Sequence, residues 1–284
     1  MSRVSLACAG VTVLAILLGS CSKGTQIGLP SVSEVVEKAV NAQGGREAYA
    51  RVRVVERVSS YRSQVAAGGL AGAPESLVGE AFDVANQRVF IERTDAGGAT
   101  KKYFDFRSGK GWALSPKGVS DLGSGETPTE VAQLQIQFLE GTGLEVFILS
   151  AGDSGGSGAG RAESGLEVVG KEIQDGRSVV VLSSTLKQSL GASGDVLLET
   201  RYCFDEQSGF LLSKSKTVTR GVGAPIRSEI VYRNYEGVDG QIWLPRLIEM
   251  RQQGEFVSEI TVRQAALMPS LSPGVETKPL VQPK

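Results

Sequence analysis

The side chains that carry most biological chemistry are sparse in this sequence. Among 284 residues there are three cysteines and no histidine. Without histidine the chain lacks the commonest general base, the usual metal ligand and the Ser-His and Cys-His nucleophile pairs. Carboxylates are plentiful. Glu249, Glu255 and Glu259 lie near one turn, and Asp195 and Glu199 near another. They occupy exposed positions of strand-like runs, the pattern of a solvated sheet face rather than of a paired acid and base. Gly109–Gly111 and Gly152–Gly160 are glycine-rich but lack the Lys-Ser/Thr of a phosphate-cradling loop. No catalytic residue, metal site or cofactor is expected, and the chain reads as a non-enzyme.

Cys21 is the exception. Met1–Ser20 carries one basic residue near its start, Arg3, then an apolar stretch from Val4 to Leu18 and two small residues. The stretch is too short and too poorly flanked for a spanning helix and has the layout of an export signal. Leu18-Gly19-Ser20-Cys21 resembles the bacterial lipobox, in which cleavage falls just before a cysteine that is then acylated. The resemblance implies that residues 1–20 are a lipoprotein signal peptide and that lipid on Cys21, such as palmitate, ties the remainder to a membrane. Each buried methylene contributes about 0.8 kcal/mol, so several acyl chains hold firmly. Ser22 is not the aspartate that such lipoproteins use for inner-membrane retention, which implies the outer membrane, facing the periplasm. With Cys8 in the leader and Cys21 on lipid, Cys203 is left without a disulfide partner in an oxidising compartment. It lies in the strand-like run Glu199–Phe204 and reads as a structural thiol.

The composition suits a folded domain: 41% of residues are apolar, 21% are charged and the net charge is −1. The charges are scattered, so no cationic surface for nucleic acid is expected. Residues 21–30 read as a short tether. Ser31-Val32-Ser33-Glu34 has capping-box spacing, and Val32, Val35, Val36, Ala39 and Val40 then fall on one helical face until Gly44-Gly45. Arg46–Ala50 forms another short helical turn. β-branched runs follow at Arg51–Tyr61, Gln87–Arg93, Lys101–Phe106 and Gly111–Leu114, with Gln64–Gly79 read as a loop. Thr127-Pro128-Thr129-Glu130 starts a second amphipathic helix with the stripe Val131, Leu134, Gln135, Phe138 and Leu139, ending at Gly141-Thr142-Gly143. Residues 151–165 form a flexible Gly/Ser loop.

The second half reads as hairpins, with turns at Asp175-Gly176, Asp205–Gly209 and Gln253-Gly254. Residues 269–284 hold few apolar side chains and read as a disordered tail. Hairpins without intervening helices make an antiparallel sheet, and two amphipathic helices must bury their stripes on one of its faces. The expected class is therefore α+β, a curved antiparallel sheet forming a half-open barrel with helices on the concave face.

Four stretches give this architecture a family likeness. They are Val36–Tyr49, with Asn41-Ala42-Gln43-Gly44-Gly45; Lys110–Pro116; Tyr202–Leu211; and Tyr232–Pro245. Their order along residues 31–268 resembles the LolA/LolB-like superfamily of periplasmic lipoprotein carriers and related lipid-binding lipoproteins. The resemblance implies a lipid or a lipidated protein as ligand, its acyl chain in an apolar groove. The candidate groove-lining residues are Val131, Leu134 and Phe138 on the helix and Trp112 and Trp243 on strands. The residues themselves leave two readings open. In one the concave face holds a ligand. In the other it is filled by the protein's own side chains, leaving a scaffold or sensory module that acts through protein contacts.

Overall fold

The computed structural model describes residues 28–64, 75–123, 128–151, 165–189, 195–221 and 223–279. The signal segment, Cys21, Thr127 and most of the Gly/Ser loop lie outside the described residues. Among the described residues there are four helices: α1 (Val32–Ala42), α2 (Gly45–Arg51), α3 (Pro128–Thr142) and α4 (Leu144–Ala151). The strands of the first half are β1 (Val54–Ser63), β2 (Glu75–Asp83), β3 (Arg88–Asp95), β4 (Gly98–Asp105), β5 (Lys110–Ser115) and β6 (Gly118–Leu122). Those of the second are β7 (Glu167–Gln174), β8 (Arg177–Ser189), β9 (Asp195–Asp205), β10 (Leu211–Arg220), β11 (Ile226–Val238), β12 (Ile242–Gln252) and β13 (Glu255–Met268).

These strands form one antiparallel sheet in the order β6-β5-β4-β3-β2-β1-β13-β12-β11-β10-β9-β8-β7. It is two meanders joined where β13 returns beside β1, with Val54 opposite Met268 and Tyr61 opposite Ile260. β6 and β7 are its edges, so the curved sheet is a half-open barrel, as the hairpin pattern implied. Local chemistry sets the corners. Asp175-Gly176 and Gln253-Gly254 have positive φ at both residues, and Gln174 pairs with Arg177 and Gln252 with Glu255 across them. Two-residue turns of this hand match the twist of the strands they join.

Side-chain alternation sorts the sheet into two faces. Val55, Phe82, Val89, Phe104 and Leu122 run in register across β1–β6, together with Gly111. They pack against Ala48 and Tyr49 of α2 and Leu134 and Phe138 of α3. In the second half Val180, Leu182, Tyr202, Phe204, Tyr232 and Ile248 pack against Val36, Ala39 and Val40 of α1 and Val146 of α4. The helices therefore cover the concave side. The capping box that starts α1 is formed: Glu34 N donates to Ser31 Oγ at 3.2 Å and Ser31 N donates to Glu34 Oε2 at 2.7 Å.

Three features depart from the sequence reading. β2 starts at Glu75, inside the stretch read as a loop. β6 follows β5 through a tight turn at Pro116-Lys117, too short to show a clear period. α3 ends at Thr142, within the expected Gly141-Thr142-Gly143 stop, but after Gly143, with φ 69°, the chain turns helical again as α4, which the sequence reading lacks. α4, Leu-Glu-Val-Phe-Ile-Leu-Ser-Ala, is apolar on nearly every side and so carries no helical period.

Residues 269–279, part of the segment read as a disordered tail, lie across the outer face of β3–β6. Arg88 Nη1 pairs with Glu276 at 2.9 Å, Lys278 pairs with Asp121 at 2.7 Å, and Trp112 Nε1 donates to Glu276 O at 3.4 Å.

Candidate functional site

α3 positions the candidate site. It touches the sheet with two neighbouring stripes. Leu134 and Phe138 enter the core, and Phe138 meets Phe82 edge-on at 6.1 Å and Phe106 at 5.5 Å. Gly141 lies where a Cβ would overlap the Phe82 ring, so glycine sets the closeness of this approach. The adjacent stripe, Gln133, Ile136, Gln137 and Glu140, has the i, i+3, i+4, i+7 spacing of one helical face. It forms one wall of a groove of about 470 Å³ whose floor is the concave side of β1–β3 and β11–β13. Tyr61, Val78, Ile91, Ile230, Met250 and Ile260 supply the apolar floor. The volume lies in the range of small-molecule sites. Arg93 sits over the Tyr61 ring, 4.7 Å from its centroid.

Among the polar groups of this groove, Glu80 and Glu140 are buried. Arg57 and Glu80, paired across β1 and β2, form a buried ion pair: Arg57 Nε donates to Glu80 Oε2 at 2.8 Å and Ser59 Oγ donates to the same oxygen at 3.2 Å. The guanidinium also lies 5.1 Å from the Phe82 centroid. Glu140, in the last turn of α3, is only 6% exposed. Burial, reinforced by Glu145, pushes its carboxyl up to about 7, against the pull of Lys214, Arg57 and Lys216. Glu145 of α4 in turn pairs with Lys214 of β10. Glu140 Oε1, Arg57 Nη1 and the Tyr232 hydroxyl are buried with no hydrogen-bond partner among the described residues. Glu140 also borders a second space, of about 20 Å³, lined by Gln43, Glu145, Tyr232 and Tyr235.

The five groove residues expected from the sequence fall into separate places. Val131, Leu134 and Phe138 come together on α3 within the core cluster, with Leu134 1% exposed. Trp112 lies on the outer face, in register with Tyr103 and Phe90 and stacked 6.2 Å from Tyr103. Trp243 is 43% exposed beside Phe210, with ring centroids 6.0 Å apart. None of the five lines the groove. The residues that do, Ile136 and Glu140 above all, occupy the stripe beside the one read from the sequence. The inward charges had a legible signal: Val55, Arg57 and Ser59 alternate on one face of β1.

Three of the four stretches carrying the family likeness meet at α1. Trp243 N donates to Gln43 O at 3.0 Å, and Gly44, with φ 119°, packs against Gln241 O too closely for a side chain. Lys38 Nζ donates to Glu206 O, and Gly209 packs against the Lys38 backbone.

Reactive chemistry is thin. Burial raises the Cys203 thiol above its ordinary value, which disfavours a thiolate. No group of three or more His, Cys, Asp or Glu residues could hold a metal ion among the described residues. Among those residues, too, no helix is long and apolar enough to cross a membrane.

No family model matches the chain, and no curated protein matches it. Several solved structures are similar. One is a domain from Vibrio parahaemolyticus assigned to outer membrane lipoprotein sorting, at 11% identity and a TM-score of 0.48, with 87% of this chain and 96% of that chain covered. A DUF1329 family protein from Desulfovibrio piger gives 12% identity and a TM-score of 0.48, over 85% of this chain and 95% of that one. LprF from Mycobacterium bovis gives 12% identity and a TM-score of 0.23, over 82% of this chain and 92% of that one.

Proposed function

We propose that this chain is a non-enzymatic envelope protein that binds a lipid, or the lipid of an acylated protein, by its hydrocarbon chain in the groove beneath α3. Lipid on Cys21 would hold it in the bacterial cell envelope, at the outer membrane facing the periplasm. The groove carries the reading: at the margin of the two core clusters, on the concave floor of the thirteen-stranded sheet, Tyr61, Val78, Ile230 and Met250 stay partly exposed beside the buried Ile91 and Ile260. Apolar ligand surface buried there gains roughly 25 cal/mol per Å². The scattered charges give no surface for nucleic acid.

A scaffold reading is favoured by one observation. Beneath α1, α2 and α4 the concave side is occupied by the two core clusters. The groove under α3 is what separates the two readings. Native mass spectrometry of the full chain, purified from bacteria without detergent, tests them. Co-purified lipid is expected, and it should be lost on Ile230→Trp, which fills the groove while leaving the fold cooperative. A lipid-free chain that also fails to take up oleyl alcohol would overturn the carrier reading and leave the scaffold.

A further inference from the structure

Resting on the groove as a hydrocarbon site, we propose that Glu140 receives the polar head of the bound molecule and that this head is uncharged and donates a hydrogen bond, as a hydroxyl or an amide N–H does. Two observations carry this. Glu140 lines the groove, and its Oε1 is buried without a hydrogen-bond partner among the described residues. An acceptor left unpaired in such surroundings is costly, and a donor on the ligand relieves that cost.

The surrounding charges decide that the head is neutral. Facing Glu140 are Arg57 of β1, Lys214 and Lys216 of β10, Glu145 of α4 and Tyr232 of β11. Glu80 of β2 joins through its pair with Arg57. With Glu140 ionised, the three cations and three carboxylates of this set balance. An ion of either sign added there finds no unmatched partner while losing its hydration. A phosphate or carboxylate would also face the carboxylates of Glu140 and Glu80 directly. The raised value of Glu140 agrees with this: near neutral pH its carboxyl is partly protonated, and an uncharged head suits both of its forms.

Four probes sharing one chain make the test: oleyl alcohol, oleyl methyl ether, oleyl sulfate and oleylamine, titrated into the full chain at neutral pH. Oleyl alcohol is expected to bind tightest. Its advantage over the ether should be about five- to tenfold, the worth of one net hydrogen bond. Glu140→Leu should erase that advantage, the alcohol and the ether then binding alike within about twofold. Glu140→Gln, which keeps an acceptor oxygen, should retain it. Equal binding of all four probes, or tightest binding of the sulfate or the amine, overturns the assignment of the head and leaves the groove reading standing. Binding of none overturns both. Retention of the alcohol's advantage in a folded Glu140→Leu chain overturns the role of Glu140 alone.

Discussion

Arg57 of β1 and Glu80 of β2 meet on the concave face with Nη2 2.7 Å from Oε2 and side chains only 2% and 4% exposed. The pair sits against Phe82, and Glu80 lines the groove together with Glu140. Removing one member leaves the other charged and buried, which costs about 3–5 kcal/mol, whereas replacing both with apolar residues of like volume is often near neutral. Arg57→Met alone is therefore expected to lower stability by about that amount and Arg57→Met/Glu80→Met by far less. Urea denaturation of both chains checks this, and equal losses in the two would contradict it.

Glu140 gives stability a pH dependence of known sign. Its value rises from the ordinary 4.5 to about 7 on folding, so the folded chain holds this proton more tightly than the unfolded one. The associated stability is fully present below the unfolded value and is lost as pH rises through the folded one. Over about pH 5 to 8 the wild-type chain should weaken with rising pH, and Glu140→Gln should flatten that slope. Denaturation midpoints at several pH values read this directly. Parallel curves for the two chains would show that Glu140 titrates normally.

Gly141 controls how closely α3 sits on the sheet. A methyl group there overlaps the Phe82 ring, and both residues are buried. Gly141→Ala should destabilise the chain by about 1–3 kcal/mol through overpacking, in spite of alanine's better helix propensity. Because α3 is one wall of the groove, the same change should alter lipid uptake. Phe82→Leu, which removes the obstructing ring atoms, should restore part of both. An unchanged melting temperature in Gly141→Ala would show that α3 is free to lift.

The carboxyl-terminal segment covers Trp112. Truncation after Met268 removes Glu276 and Lys278, and with them the contacts to Arg88, Trp112 and Asp121. Exposed ion pairs of this kind contribute about 0–1 kcal/mol each, so the loss of stability should be small. Tryptophan emission should nevertheless shift to the red. Trp243 is exposed already, so the change comes from Trp112. Emission identical to that of the full chain would mean that the segment does not cover the ring in solution.

The sheet was legible because its signals are local. Asp175-Gly176 and Gln253-Gly254 fix two-residue turns, and β-branched runs on either side fix what they join. α1 was legible from its capping box and valine stripe. β2 was not, since Ser76 and Glu80 point inward among apolar neighbours and blur the period of Val78 and Phe82. The candidate site was harder still. Hydrophobic periodicity picks out what is most buried, and on α3 that is the core stripe of Leu134 and Phe138. A groove wall has to mix apolar and polar side chains, as Gln133, Ile136, Gln137 and Glu140 do, so it looks like an exposed face. Arg57 has the alternation with Val55 and Ser59 as a signal, whereas Glu140 becomes notable only when neighbours distant in sequence bury it.

Photolabelling tests the groove most directly. An oleyl alcohol carrying a diazirine at mid-chain is bound to the full chain, irradiated, and its adducts mapped by peptide mass spectrometry. The label is expected on peptides holding Ile136, Ile230, Met250 or Ile260, and unlabelled oleyl alcohol should compete it away. Label confined to the outer face around Phe90 and Val275, or spread without competition over the surface, would contradict a hydrocarbon site beneath α3.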